Sequence, residues 1–233
     1  MAIENPHVLV TGAAGALGGA VVRSLLARGC RVTACASPGN LERAAALGAS
    51  GGRLLVLEGN VSVPAECERL CTEAEGALNP IDGVVACAGG WKGGRPTWEA
   101  PETELDELFT RNFKTTYLTL RAGARRMVSR GHGRLIAIAS QAAFDPEPGA
   151  AAYAVAKAAV VHFVKVLARE LAGTGVAVSC LAPGTLDTPA NRDAMPAADR
   201  SRWVKLDQAV DAIVNLLSMS PAAMNGAVLP LGR

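Results

Sequence analysis

Rings are scarce in this chain: phenylalanine, tryptophan and tyrosine make up 4% of its 233 residues, although half of all residues are hydrophobic. With so few aromatics, the core has to be built from Ala, Val, Leu and Gly, which suits helices packed closely on a sheet. Charge of one sign is also missing. The formal net charge is +2 and no Lys/Arg block stands out, which argues against nucleic acid or an acidic membrane surface as a partner. Metal-ligand spacing is absent as well. His7, His132 and His162 are scattered, and Cys67 and Cys71 would share a helix face without a second pair to complete a zinc site. The six cysteines read as reduced, mostly buried thiols of a cytoplasmic protein. Met1-Ala-Ile-Glu-Asn-Pro-His7 has no basic segment followed by an apolar run, so no signal peptide is expected. The longest helix-like apolar stretch, 150–171, is interrupted by Lys157, Lys165 and Arg169 and does not read as a membrane span.

What is present is alternation. Apolar runs at 7–11, 31–36, 52–58, 83–88, 133–139, 176–181 and 227–231 read as strands. Helical periods fill 16–28, 41–47, 65–75, 102–129, 153–172 and 207–219. Such alternation predicts one α/β domain spanning 1–233, a doubly wound parallel sheet with helices on both faces. Two stretches break the pattern, 89–101 and 184–201, both rich in Gly, Pro, Trp and polar residues. Each follows a strand, so each should sit at the carboxyl edge of the sheet, where open α/β folds bind ligands.

The first strand runs into Thr11-Gly12-Ala-Ala-Gly15-Ala-Leu-Gly18 and a helix. Gly12 can make the sharp exit turn, Gly15 can let backbone approach a pyrophosphate, and Gly18 can let helix and strand pack closely. The helix N-terminus then offers free N–H groups and a positive dipole. A tight strand–helix turn without a ligand is the plainer alternative; the position on the first strand favours a dinucleotide.

Tyr153-Ala-Val-Ala-Lys157 opens a helix, and the spacing puts phenol and ammonium on one face. A phenol titrates near pH 10 by itself, too high for proton transfer at neutral pH, and a nearby cation lowers that value. Alone, the pair could equally be a surface tyrosine and a solvated lysine. Ser140 ends the fifth strand, where its hydroxyl can point over the sheet edge or simply close a turn. Asn112 lies inside the long helical region 102–129, where asparagine is a poor helix former; a structural hydrogen bond or a local bend accounts for it.

Taken together and in this order, Thr11–Gly18, Cys87-Ala-Gly89, Asn112, Ser140, Tyr153/Lys157 and Pro183-Gly184 resemble the short-chain dehydrogenase/reductase family over nearly the whole chain. The resemblance implies a seven-stranded Rossmann sheet. It implies that Ser140 orients and polarises a carbonyl, that Tyr153 donates or accepts the proton, that Lys157 tunes Tyr153 and binds the nicotinamide ribose, and that Asn112 holds a water in the proton relay. Cofactor contacts are implied for Gly12, Ala14, Gly15, Ala16, Leu17 and Gly18, for Ala36, Ser37, Asn60 and Val61, for Ala88, Gly89 and Gly90, and for Tyr153, Lys157, Pro183, Gly184 and Leu186. Ala88-Gly-Gly-Trp-Lys-Gly-Gly94 and Thr185-Leu-Asp-Thr-Pro-Ala-Asn-Arg192 resemble the loops of the dihydropteridine reductase branch, from which Ser140 departs.

Further expectations follow from these readings. The second strand ends at Ala36-Ser37 without the acid that normally accepts the adenosine 2′-hydroxyl, so NADP(H) is expected over NAD(H), with Ser37, Asn40 and Arg43 facing a 2′-phosphate. Trp91, Gln141 and Trp203 are the candidate substrate contacts, and 184–206 the candidate lid, braced by Asp187 and Arg192. The family commonly pairs its two long middle helices across a two-fold axis. The helix 153–172 is apolar on more than one face, which points to a homodimer or homotetramer.

Overall fold

Each apolar run becomes a strand of one sheet. The computed structural model describes residues 5–48 and 51–232, so residues 1–4 of the N-terminal segment read above lie outside it. The strands are β1 (His7–Thr11), β2 (Arg31–Ala36), β3 (Leu54–Glu58), β4 (Gly83–Ala86), β5 (Gly133–Ile138), β6 (Val176–Pro183) and β7 (Val228–Leu231). They stand in the order β3-β2-β1-β4-β5-β6-β7, all parallel. The helices are α1 (Ala16–Ala27), α2 (Leu41–Ala45), α3 (Pro64–Leu78), α4 (Glu102–Leu108), α5 (Thr115–Arg130), α6 (Ala151–Glu170), α7 (Pro189–Ala194), α8 (Leu206–Ser218) and α9 (Pro221–Met224).

Alternation along each strand divides the core in two. Leu9, Val84, Leu135 and Val178 face one layer with Leu70 of α3, Leu120 of α5 and Val160 of α6. Val8, Val10, Val85 and Ile136 face the other, with Val21 of α1, Ile213 of α8 and Met224 of α9. Helices on both faces explain why β1, β4 and β6 are buried along their whole length. Because β1 is flanked by β2 on one side and β4 on the other, the strand order reverses there and opens a crevice at the carboxyl ends.

Helix α6 is long and apolar enough to cross a membrane by length and composition alone. Its Ala154, Ala156, Lys157, Val160, Val164 and Leu167 are instead buried, five of them apolar residues packed within the protein.

Most boundaries shift by a few residues from the sequence reading, and three differences bear on the site. The helical region at 102–129 is broken by a π-helical turn, Phe109–Lys114. Strand β4 ends at Ala86, because the Cys87 N–H turns back to the Val85 carbonyl at 3.2 Å. The stretch after β6 is not irregular throughout. Thr188 accepts from the Asn191 N–H at 3.2 Å and, with Pro189 at the first helical position, starts α7.

Candidate active site

The glycine turn between β1 and α1 has the form a phosphate cradle requires. Gly12 has φ +65°, and a Cβ there would lie 2.8 Å from the Ala88 N, so only glycine fits. A Cβ on Gly18 would lie 2.3 Å from the Gly12 carbonyl oxygen, so α1 packs against the turn without room for a side chain. Gly15 is the N-cap of α1, no side chain caps this end, and its first turn holds no acid. Gly15 and Ala16 are exposed, and Ala14 and Leu17 are half-buried beside them. The positive end of the helix therefore faces open space, as an anionic pyrophosphate needs.

Across the crevice, Ser140 follows β5 and Tyr153 sits in the first turn of α6. Ser140 Oγ accepts the Ala142 N–H at 3.2 Å, which fixes the hydroxyl at the head of a 3₁₀ turn. Burial raises the Tyr153 phenol above its ordinary value, and the nearby Ser140 side chain opposes that rise. Lys157 is buried and donates from Nζ to the Ile138 carbonyl at 2.9 Å. This bond ties α6 to the end of β5, two residues before Ser140. The ammonium lies 5.8 Å from the Tyr153 ring centroid, and burial lowers its pKa from 10.5 to about 8. Cys87 and Cys180 are close enough to oppose that fall, and burial pushes both thiols up, Cys87 to about 12 and Cys180 to about 11.

Asn112 is fully buried in the π-helical turn. Its Nδ2 donates to the Leu108 carbonyl at 3.1 Å and to the Gly90 carbonyl at 2.9 Å, while Oδ1 accepts the Gly90 N–H at 3.0 Å. The side chain thus takes the carbonyl that a regular α-helix would give to the main-chain N–H of residue 112. Both expected explanations hold at once: there is a bend, and there is a structural hydrogen bond. A Cβ on Gly89 would lie 2.9 Å from Asn112 Oδ1 and 3.4 Å from Lys157 Nζ, so the turn after β4 approaches both.

At the end of β2, where the resemblance places the adenosine, Ala36 is buried and Ser37 exposed. Asn40 Nδ2 donates to Ser37 Oγ at 3.1 Å. Asn60 Oδ1 accepts the N–H and hydroxyl of Ser62 at 3.0 and 2.7 Å, closing a turn. Val61 is half-buried beside it. Glu58, which the sequence reading passes over, accepts the Gly39 N–H at 3.2 Å.

The three substrate candidates diverge. Trp91 is 61% exposed, and Trp98 beside it 85%. Their loop is pinned to 149 by the Gly94 N–H on the Gly149 carbonyl at 2.9 Å. Trp203 has the Arg200 guanidinium 5.7 Å from its ring and lines a cavity of about 310 Å³ with Arg202, Gln208 and Leu231. Trp91 does not line that cavity. Gln141 hydrogen-bonds the Gly232 carbonyl, which joins the Ser140 turn to the end of β7. Pro183 closes β6, Gly184 donates to the Leu231 carbonyl at 2.8 Å, and Leu186 pairs with Val204. Neither the Ile138 carbonyl under Lys157 nor the Gly149 anchor has a side-chain signal by which sequence could reveal it.

Residues 6–199 match the family described as short chain dehydrogenase. The chain belongs to the short-chain dehydrogenase/reductase family. It is 32% identical over 194 residues to the 3-oxoacyl-(acyl-carrier-protein) reductase FabG of Escherichia coli (strain K12), covering 82% of this chain and 78% of that one. It is 33% identical over 224 residues to a 1-deoxy-11-beta-hydroxypentalenate dehydrogenase of Streptomyces avermitilis, covering 93% and 83%. A short-chain type dehydrogenase/reductase from Mycobacterium ulcerans superposes with a TM-score of 0.89 at 26% identity, covering 99% of this chain and 89% of that one. The chain is therefore an oxidoreductase of this family, whose members use NAD(P)(H).

Proposed function

We propose that this short-chain dehydrogenase/reductase is an NAD(P)H-dependent reductase of a ketone on a small, cyclic metabolite, with Tyr153 as the proton donor or acceptor. The observation that carries the reading is the Tyr153 ring 5.8 Å from the buried Lys157 ammonium, which is itself tied to the Ile138 carbonyl two residues before Ser140. The glycine turn fits a pyrophosphate because Gly12 and Gly18 leave no room for side chains and α1 begins uncapped. Ala14, Gly15, Ala16 and Leu17 would hold the phosphates. Ala36, Ser37, Asn60 and Val61 would take the adenosine. Ala88, Gly89, Gly90, Tyr153, Lys157, Pro183, Gly184 and Leu186 would surround the nicotinamide and its ribose.

Hydride delivery to the carbonyl carbon is the chemistry that a bound reduced nicotinamide supplies. Ser140 orients and polarises the carbonyl. Tyr153 gives its proton to the oxygen, which becomes the alcohol. Lys157, tied to the Ile138 carbonyl, positions α6 so that the phenol meets the serine, and its charge favours the phenolate. Asn112 holds Gly90 and the turn that borders the site, and a relay water beside it resupplies the proton. Segment 184–206 acts as a lid that excludes water.

The missing acid at the end of β2 supports NADPH over NADH. Six free thiols support a cytoplasmic protein. Exposed Tyr117, Val128 and Val166 on α5 and α6 support a homodimer or homotetramer built on these helices. The relatives' names speak of 3-oxoacyl and hydroxypentalenate substrates, that is, of ketone and alcohol chemistry. A second reading, reduction of a C=N bond as in quinonoid dihydropterin, rests on the loops 88–94 and 185–192; a cofactor sensor on the same fold needs no proton relay, and a non-redox step such as cyclisation or dehydration is the third alternative. The test is NAD(P)H consumption with planar cyclic ketones, simple acyl ketones and quinonoid dihydropterin. Turnover of a cyclic ketone is expected. Pterin turnover alone selects the second reading, and no consumption with any of them refutes the reductase.

A further inference from the structure

The second strand lacks an acid at its end, but the neighbouring strand has one. In the parallel register Glu58, the last residue of β3, stands beside Ala36, the last residue of β2. Paired residues on adjacent parallel strands point to the same side of a sheet, so Glu58 projects from the face that Ala36 occupies. Its side chain is not turned away. It reaches the loop just beyond β2, where the carboxylate accepts the Gly39 N–H. Ser37 and Asn40, bonded to each other, lie in the same four-residue loop.

Among the described residues Glu58 forms no ion pair. The Arg69 guanidinium of α3 donates to the Glu58 main-chain carbonyl at 2.7 Å. Arg69 spends its charge on Glu66 and Glu73, at 2.8 and 2.9 Å. The carboxylate is exposed at the carboxyl edge of the sheet, open to whatever binds there.

We infer that Glu58 is the specificity-determining carboxylate of the adenosine site: the acid that meets the ribose 2′ position comes from β3, not β2. The inference rests on the nicotinamide-cofactor reading above. In a Rossmann crevice the acid beside the ribose accepts the 2′-hydroxyl of NAD(H) and repels the 2′-phosphate of NADP(H). Placed one strand away and held by the Gly39 N–H, Glu58 does this less completely than an acid on β2. It keeps NADH usable and limits the preference for NADPH that the Ala36-Ser37 pair creates. Charge, not shape, is what discriminates.

The test compares wild type, Glu58→Gln and Glu58→Ala by fluorescence titration with NADPH and NADH, and by calorimetry with 2′,5′-ADP and 5′-AMP, alongside thermal melts. Glutamine retains an oxygen for the Gly39 N–H and removes only the charge. Glu58→Gln is expected to tighten NADPH and 2′,5′-ADP relative to NADH and 5′-AMP by about tenfold, with the melt unchanged. Glu58→Ala should shift the ratio in the same direction. A ratio within twofold of wild type in Glu58→Gln, or an equal loss for both cofactors, overturns the assignment and leaves Glu58 a loop anchor. A wild type that binds all four compounds poorly overturns the cofactor reading itself, and with it this one.

Discussion

The two segments that leave the carboxyl edge of the sheet beside the active site are held in opposite ways. The loop after β4 is tied to distant parts of the chain. Asn112 clamps Gly90 with two hydrogen bonds, Glu107 pairs with both Lys92 and Arg111 at 2.6 and 2.7 Å, and Gly149 receives the Gly94 N–H. The segment after β6 is tied mainly to itself. Asp187 grips Arg192 at 2.6 and 2.8 Å, Asn191 bonds the Leu186 carbonyl at 2.8 Å, and Thr188 caps α7. A loop fixed by long-range bonds moves only when the core moves. A segment fixed by local bonds can move as one piece on its ends. This difference supports the proposal that the second segment acts as a lid over a platform formed by the first. Mutations on the two should therefore fail in different ways.

The largest effect is expected where both regions converge. Tyr153→Phe keeps the ring and removes the exchangeable proton, so turnover should fall by roughly two or more orders of magnitude while cofactor binding stays. Near wild-type turnover in that variant would sink the mechanism on either side of the site.

Lys157 sharpens the contrast by trading stability against chemistry. Below about pH 8 the lysine is charged in folded and unfolded chains alike, and the full cost of burying the ammonium is present. From about pH 8 the folded chain sheds the proton while the unfolded chain holds it up to the ordinary 10.5, so the cost fades as pH rises. Lys157→Met should therefore abolish most turnover yet raise stability at pH 7 by about 2 kcal/mol, the shift less the lost bond to Ile138. Melts from pH 7 to 10 should show that advantage shrinking above pH 8; an advantage that is constant with pH contradicts the assignment of the cost to the ammonium.

Asn112→Ala attacks the platform. It leaves the Gly90 N–H without its acceptor and takes the Nδ2 donor from the Gly90 and Leu108 carbonyls. A stability loss of about 2 kcal/mol is expected, with kcat down by about tenfold. A variant that melts earlier but keeps its full kcat would show that the clamp holds the fold without shaping the site.

Much of this architecture was legible before the structure. Strands buried on both faces announce themselves as unbroken apolar runs, and the turn at Gly12–Gly18 carries its geometry in its glycines. The π-helical turn showed only as the awkward Asn112, because Phe109-Thr-Arg-Asn-Phe-Lys114 otherwise continues the helical period. Helix α7 was missed although Thr188-Pro189 is a helix-start signal, since the surrounding prolines and charges read as loop. Glu58 escaped for a different reason. Its meaning depends on standing next to Ala36, a relation of register between two strands that a pass along one chain does not reveal.

The smallest effect is expected from the lid's brace, and it separates lid from platform most cleanly. Arg192 is exposed, and among the described residues its side chain bonds only Asp187, so Arg192→Ala removes no buried contact. The melting temperature should stay within a degree or two, since surface pairs contribute little. What changes is the population of the ordered segment: a lid that must be ordered on each encounter weakens substrate binding by the fraction of time it is unbraced. The expected result is KM for the carbonyl substrate raised about three- to tenfold, with kcat and NADPH affinity nearly unchanged. Arg192→Lys, which keeps the charge but loses the two-pronged grip, should fall between. The brace also gives a pH signature. The Arg192 guanidinium holds the Asp187 carboxyl below its ordinary value, so the grip persists at neutral pH and is lost as pH falls through that lowered value. If Arg192→Ala lowers kcat and leaves KM untouched, segment 184–206 is part of the platform, and the distinction between the two regions collapses.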